Sequence, residues 1–212
     1  MGPDDAVPLS SIQVHKGIAF IIGETLYSVS PSPAIFVSAE GFKSVTQSLN
    51  NNDFGKVLSV TLQPLPATVE LTTSITDDKT SWFINGEKLA IAKAFDYEVA
   101  PGDYELTASH PYHQDAHIAV SLSRGELFKH QFELEPVDGS LTIKTTPNTA
   151  HIFLDAVDLG PSPQTLTLHG GNHKVAIKLD NYETINDSID ISLAMPDIKR
   201  NYRLELKKAA VE

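Results

Sequence analysis

The sequence consists largely of short runs in which apolar and polar residues alternate. Val175, Ile177 and Leu179 are each separated by one residue, and many other runs follow the same rule. Because successive side chains of a strand point to opposite faces, a period of two indicates one buried face and one solvated face, as in antiparallel sheets. Turn pairs such as Asn85-Gly86 separate the runs and favour tight hairpins. The sequence therefore predicts an all-β fold.

Several markers recur along the chain at nearly one spacing. Asn85 precedes Asp155 by 70 residues, and both stand at a predicted hairpin tip. Leu62, Leu134 and Leu206 are each 72 residues apart and end a predicted strand. Markers that keep both their order and their period indicate an internal repeat. We therefore predict three tandem small antiparallel β-sandwich domains, over residues 12–66, 67–137 and 138–208.

The first predicted domain departs from this repeat. Phe42, Tyr112 and Tyr182 are spaced by 70 residues, and each closes a predicted strand. The hairpin tip that we assign near Gly23 lies about 20 residues before Phe42, whereas the other two tips lie 27 residues before their marker. We expect that this domain has lost part of a strand or has been rearranged. The proline-containing joints predict short, stiff connections, and leave open a rod or a compact triad.

The third predicted domain carries an ordered set of short motifs. They are Gly139-Ser-Leu-Thr-Ile-Lys-Thr-Thr-Pro147, Ala150-His-Ile-Phe-Leu-Asp155, Leu159-Gly160-Pro-Ser-Pro163, Gly171-Asn-His173-Lys-Val and Asn181-Tyr182. This order resembles the PEGA domain family, in which a hairpin glycine stands at the place of Ala156. The second predicted domain shares Asn85-Gly86 with the pattern, and the first shares Gly41-Phe42.

The resemblance implies small β-sandwich modules, which occur mostly in extracytoplasmic parts of bacterial proteins beside surface-layer, kinase or formylglycine-generating-enzyme-like domains. The family has no catalytic residues, so we expect no enzyme and no cofactor. We expect a periplasmic or cell-surface module, the soluble part of a membrane-anchored protein, that contacts a protein as a scaffold or sensory ectodomain. The alternative is an accessory module that binds carbohydrate or cell-wall polysaccharide.

Charge and composition narrow the classes of partner. The formal net charge is −11, and this charge disfavours nucleic acid because phosphate binding needs clustered basic residues. The chain has no cysteine, which excludes disulfides and thiol chemistry. No apolar run reaches the roughly 18 residues of a membrane helix, so membrane attachment would depend on a segment absent from this sequence.

Three aromatic residues are candidates for binding. Phe83 and Phe153 occupy equivalent positions on the face that the alternation predicts to be solvated, where they could form a partner patch. Trp82 could stack on a sugar ring, but it shares its alternation with Ile84, and this favours a place in the core.

The densest group of titratable residues surrounds His113. His113, Asp115 and His117 alternate, so on a strand they would share one face and could bind zinc or nickel in a metal-dependent enzyme. The alternative, which we favour, is an exposed polar turn. We therefore predict no metal site and keep these three residues as weak candidates.

Overall fold

The computed structural model describes residues 11–23 and 25–208, and every regular element in these ranges is a β-strand. The predicted all-β fold is confirmed. None of the described elements is a helix with the length and apolarity needed to cross a membrane.

The strands are numbered in chain order. Strands β1 to β5 are Ser11–Lys16, Ala19–Ile22, Thr25–Ser28, Ala34–Ser38 and Val45–Ser48. Strands β6 to β12 are Ala67–Thr73, Ser81–Ile84, Glu87–Ile91, Ala94–Val99, Gly102–Ser109, Ala116–Leu122 and Leu127–Phe132. Strands β13 to β19 are Asp138–Thr146, His151–Leu154, Val157–Pro161, Gln164–His169, Gly171–Lys178, Ile185–Ile191 and Asp197–Arg203.

These strands form sheets of two to four members. The first predicted domain holds the orders β1-β4-β5 and β2-β3. The second holds β11-β10-β7-β8 and β12-β6-β9, and the third holds β15-β14-β17-β18 and β16-β13-β19. The second and third predicted domains therefore share one strand order, in which β6 and β13 are the central strands of the three-stranded sheets.

The chain from residue 138 onward folds as a sandwich of its two sheets. Leu141 and Ile143 of β13 lie in one buried cluster with Ile152 of β14 and Ile177 of β17, and all four have no exposed surface. Burying such side chains stabilises a domain by about 1.5–3 kcal/mol each. Strand β13 is antiparallel to β16 and parallel to β19. The alternation in the sequence correctly identified the inward-facing side of these strands.

The predicted hairpin tips are locked by their own side chains. The Lys174 N–H donates to Oδ1 of Asp155 at 2.9 Å, and the Glu105 N–H donates to Oδ1 of Asn85 at 2.8 Å. Positive φ angles follow at both tips, with 78° at Gly86 and 71° at Ala156. An alanine at this angle brings its Cβ close to the following backbone, a strain that glycine avoids.

Replacing Ala156 with glycine is expected to stabilise the third predicted domain by about 0.5–1 kcal/mol. The left-handed conformation costs an L-residue roughly 1–2 kcal/mol, and the larger unfolded-state entropy of glycine offsets part of that gain. Hydrogen exchange of the β13 and β17 amides measures the change. The matched control is Gly86→Ala, which should destabilise the second predicted domain by a similar amount. A loss of stability in Ala156→Gly would contradict the strain argument.

One set of backbone hydrogen bonds recurs three times along the chain. The N–H groups of Phe42, His113 and Tyr182 each donate to the carbonyl three residues earlier, and each of these residues also bridges to a later segment. The next N–H in each case, on Lys43, Gln114 and Glu183, donates to the carbonyl of Gln63, Glu135 and Glu205 respectively. His113, and not Tyr112, is thus the structural equivalent of Phe42 and Tyr182. The 70-residue spacing in the sequence placed the marker of the second predicted domain at Tyr112, one residue too early.

Contacts divide the chain into two compact bodies. One runs to Glu70 and includes Asp96–Tyr104 and Val120–His130. The other contains Leu71–Phe95, Glu105–Ala119 and the chain from Gln131 onward. Residues 12–66 belong to the first body and residues 138–208 to the second, whereas the second predicted domain contributes to both. Its boundaries, 67–137, stay a prediction.

Candidate functional site

Trp82 belongs to the core. Its side chain has no exposed surface, and its ring stacks on Phe95 with centroids 6.0 Å apart. The indole Nε1–H donates to the carbonyl of Ala92 at 2.9 Å, so its polar group is satisfied internally. Trp82 therefore offers no surface to a sugar or a protein.

Phe83 lies on the strand face opposite the buried Trp82, and Phe153 lies on the face opposite the buried Ile152. Both phenylalanine rings are half-buried. The Nζ of Lys178 lies 4.5 Å from the centroid of the Phe153 ring, where the cation is attracted by the electrons of the ring face. Phe83 is paired across the sheet with Lys88 on one side and Thr107 on the other. Their equivalence is as expected, but neighbouring side chains cover part of each ring. A binding role for either stays a prediction.

The weak metal candidates do not lie on one strand. His113, Asp115 and His117 could share one face only if a strand ran over residues 113–117, whereas β11 begins at Ala116. His113 is half-buried, while Asp115 and His117 are exposed. In the part of the chain that the structure describes, no three His, Cys, Asp or Glu side chains form a group suited to a metal ion.

His113 instead joins His110, a buried histidine of the same titratable cluster. His110 is 2% exposed, and its Nε2 lies 3.1 Å from Oδ1 of Asp77. A carboxylate only accepts, so Nε2 carries the proton, and in the neutral ring Nδ1 accepts. That Nδ1 lies 2.8 Å from Nδ1 of His113, which therefore donates. Burial, and then the proximity of His110, lower the pKa of His113.

This histidine pair adjoins a contact with the chain from residue 138 onward. The Tyr112 hydroxyl donates to Oδ1 of Asp190 at 2.8 Å, which raises the pKa of the phenol. The Leu193 N–H donates to the carbonyl of Pro111 at 2.8 Å, and the Gly170 N–H donates to that of Val137 at 2.6 Å. These bonds hold Pro111, Tyr112 and Val137 against the third predicted domain. These hydrogen bonds make the contact rigid, because each polar group that takes part in them already has a partner.

A histidine–aspartate pair, His173 with Asp155, lies at the hairpin tip of the third predicted domain. Nδ1 of His173 lies 2.8 Å from Oδ2 of Asp155, and Nε2 lies 3.0 Å from the carbonyl of His169. Both partners only accept, so both ring nitrogens donate when the ring is charged. Burial is the largest single influence and opposes the charge, but the hydrogen bonds to Asp155 and to the carbonyl of His169, together with the charges of Asp155 and Asp190, outweigh it and raise the pKa of His173.

The pKa of His173 is expected to lie above its ordinary value of about 6.5 in an NMR titration. A raised pKa in the folded state adds stability below about pH 6.5, and this contribution is lost as the pH rises through the raised value. We expect His173→Gln to destabilise the domain by about 0.5 kcal/mol at pH 6 and by less at pH 8.5. His117→Gln, at an exposed position, is the control. An equal loss at both pH values would contradict the charged pair.

More than half of the exposed large apolar side chains among the described residues lie in the first predicted domain. One face of the β2–β3 hairpin presents only one polar residue, and Phe20 stacks on Tyr27 with centroids 5.4 Å apart. Its apolar side chains are 48% to 75% exposed, and they are Ile18, Phe20, Ile22, Tyr27 and Val29. We call these five residues the hairpin face. The sequence analysis did not predict the hairpin face, although the unbroken apolar run from Ile18 to Ile22 was a signal that could have indicated it.

Three further apolar side chains of the first predicted domain are exposed. Ile12 is 39% exposed, Val57 is 95% exposed and Leu58 is 37% exposed. Among the described residues of this domain, one small buried cluster comprises Ile35, Val37 and Leu49, with Leu26, Val60 and Leu62 packed against it. Contiguous exposed apolar surface is rare in soluble proteins and marks interaction sites.

The solved structures similar to this chain include the following two. A Bacillus anthracis structure described as the TIE protein has 13% identity and a TM-score of 0.44, over 85% of this chain and 43% of its own. The Streptococcal ancillary pilin has 9% identity and a TM-score of 0.29, over 86% of this chain and 79% of its own. This chain thus spans less than half the length of the Bacillus anthracis structure.

The comparison with protein families concerns the third predicted domain. Among curated proteins none matches the chain. The family model of the PEGA domain matches residues 138–208, the range over which the motifs and the two-sheet sandwich coincide. The recurrent glycines and prolines of the pattern stand at turns here, and its apolar positions fill the core. Residues 138–208 therefore match the PEGA domain family, as the sequence predicted, and this range is called the PEGA domain below.

Proposed function

We propose that this chain is a non-catalytic β-module of the bacterial cell envelope, in the periplasm or at the cell surface, that binds a protein. The observation that carries the proposal is the hairpin face, which exposes five large apolar side chains side by side. An apolar face of this kind gains free energy when another protein covers it, by about 25 cal/mol per Å². The PEGA domain supports the compartment, since such domains occur mostly outside the cytoplasm.

The PEGA domain and residues 110–113 belong to one compact body of the chain. The PEGA domain is bonded to Pro111 through the Leu193 N–H and to Val137 through the Gly170 N–H, both by backbone hydrogen bonds. The three-domain arrangement over residues 12–66, 67–137 and 138–208 belongs to the same proposal, and the recurrent bonds at Phe42, His113 and Tyr182 support it.

Photocrosslinking tests the proposal. A photoreactive phenylalanine at position 20 is expected to yield adducts with a defined envelope protein of the bacterium that carries the gene, and the same group at position 83 is not. Excess unlabelled chain should compete, and so should Phe83→Ser. The double variant Phe20→Ser and Tyr27→Ser should fail to compete. Equal competition by both variants would overturn the assignment of the site.

Binding to cell-wall polysaccharide is the alternative. The half-buried rings of Phe83 and Phe153 are the observation that favours it. Sedimentation with purified peptidoglycan measures such binding directly. Loss of co-sedimentation in Phe83→Ala and Phe153→Ala, with retention in the Phe20 and Tyr27 variant, would favour the polysaccharide over a protein.

A further inference from the structure

The buried ring of His110 is bonded at both of its nitrogens. Nε2 donates to Asp77, so Nδ1 is the acceptor of the neutral ring, and it receives the Nδ1–H of His113 at 2.8 Å. The same Nδ1 also receives the backbone N–H of Tyr112 at 3.3 Å. A ring that is 2% exposed therefore accepts two donors at one nitrogen. This arrangement requires His110 to be neutral.

A proton at Nδ1 of His110 would remove both of these hydrogen bonds. The charged imidazole has a donor at each nitrogen and no acceptor. Its Nδ1–H would face the N–H of Tyr112 and the Nδ1–H of His113, and donors in such contact repel. Because a buried donor without an acceptor is unfavourable, the rings and the peptide group between them would have to separate.

The histidine pair can accept one added proton more easily than two. The first can enter at Nε2 of His113, which leaves the bond between the two Nδ1 atoms in place. Asp77 carries one negative charge, so it offsets one added proton and not two. The other charged or titratable side chains around the pair are exposed, and they are Asp78, Lys79, Asp115, His117, Glu135 and Asp190.

The residues between the two histidines carry the contact with the PEGA domain. The carbonyl of Pro111 accepts from the Leu193 N–H, and the Tyr112 hydroxyl donates to Asp190. The Tyr112 carbonyl also accepts from the Val137 N–H at 2.9 Å. Because the Tyr112 N–H is itself bonded to the His110 ring, protonation of that ring displaces the peptide groups that make these bonds.

We propose that the pair of His110 and His113 is a pH-sensitive switch, which holds residues 110–113 against the PEGA domain at neutral pH and releases them in acid. The closed pair accepts one added proton, whereas two solvated histidines accept two below about pH 6.5. Each further pH unit therefore lowers the ratio of held to released segment by about tenfold. Burial and the proximity of His110 lower the pKa of His113, which acts in the same direction.

Hydrogen exchange of the full chain, resolved by residue with NMR, tests the proposal. Protection factors of the Tyr112 and Leu193 amides, corrected for the intrinsic exchange rate at each pH, are compared between about pH 7.5 and about pH 5. We expect a fall of about tenfold or more at both amides. The amides of Ile152 and Ile177, in the core of the PEGA domain, should stay protected.

Two variants identify the groups that respond. Glutamine in His110→Gln offers one acceptor and one donor side and takes up no proton, so the fall should disappear. Asp77→Asn removes the negative charge beside the pair, so the fall should begin at a higher pH. His117→Gln, at an exposed position of the same segment, is the control and should keep the profile of the unchanged chain.

Three results would overturn the proposal. Constant protection of Tyr112 and Leu193 over this pH range would exclude a switch. An equal loss at Ile152 and Ile177 would show acid unfolding of the PEGA domain in place of local release. An unchanged profile in Asp77→Asn would assign the response to other groups, and this variant decides even if His110→Gln fails to fold.

Discussion

Replacing Trp82 with alanine is expected to destabilise the surrounding core by about 3–5 kcal/mol, the range for large aromatic residues removed from a core. The indole contacts Phe95 and Phe132, with ring centroids 6.0 and 6.1 Å away, and its N–H is bonded inside the domain. A loss of this size equals much of the stability of a small domain. Hydrogen exchange of the β7 and β10 amides in the full chain measures it.

Phe83→Ala is the matched control, because Phe83 is the next residue on the same strand and lies on its other face. A half-buried ring leaves no enclosed cavity when it is removed, so we expect a cost of at most about 1.5 kcal/mol. The pair separates a core aromatic from a surface aromatic within one strand. If both variants cost the same, the alternation does not define the buried face here.

Replacing Gly170 with alanine is expected to disrupt the contact between residues 110–113 and the PEGA domain. A Cβ at this position would lie 2.6 Å from the carbonyl oxygen of Tyr112 and 3.0 Å from its Cα. Because both are backbone atoms, no side-chain rotation relieves the overlap, and the 2.6 Å bond from Gly170 to Val137 must break or shift. Overpacking of this kind costs about 1–3 kcal/mol.

Hydrogen exchange at the Gly170 and Leu193 amides should rise in Gly170→Ala, while the core amides of Ile152 and Ile177 stay protected. Tyr112→Phe is the control, because it removes only the hydroxyl that donates to Asp190. A single hydrogen bond contributes about 0.5–1.5 kcal/mol, so this variant should leave the Gly170 amide protected. Exchange that rises throughout the PEGA domain would show that Gly170 supports the domain itself instead of the contact.

Local patterns of the sequence carried most of the fold. The alternation of Val175 with Ile177 fixed which face of β17 is buried, and the hairpin tip at Asn85-Gly86 fixed where β7 ends. These properties depend on the φ and ψ preferences and side-chain direction of a few neighbouring residues, and one sequence contains them in full. The motifs that match the PEGA domain are local in the same sense.

Properties that depend on residues far apart in the chain could not be predicted from the sequence. His113, and not Tyr112, is equivalent to Tyr182. This equivalence follows from the backbone bonds that the next residues, Gln114 and Glu183, donate to Glu135 and Glu205. The inward turn of His110 toward Asp77 joins residues 33 positions apart. Neither leaves a local periodic signal, because any side chain of suitable polarity can satisfy a long-range hydrogen bond.

The sequence alone therefore determined the strands, their turns, the buried faces and the family of residues 138–208. Only the tertiary structure decided which apolar side chains of the described residues stay exposed. Ile12 and Ile143 each stand between two polar residues of a strand, yet Ile12 is 39% exposed and Ile143 is fully buried. The physical reason is that alternation records which side of a strand is apolar, whereas burial depends on whether a second sheet, supplied from elsewhere in the chain or by another molecule, covers that side.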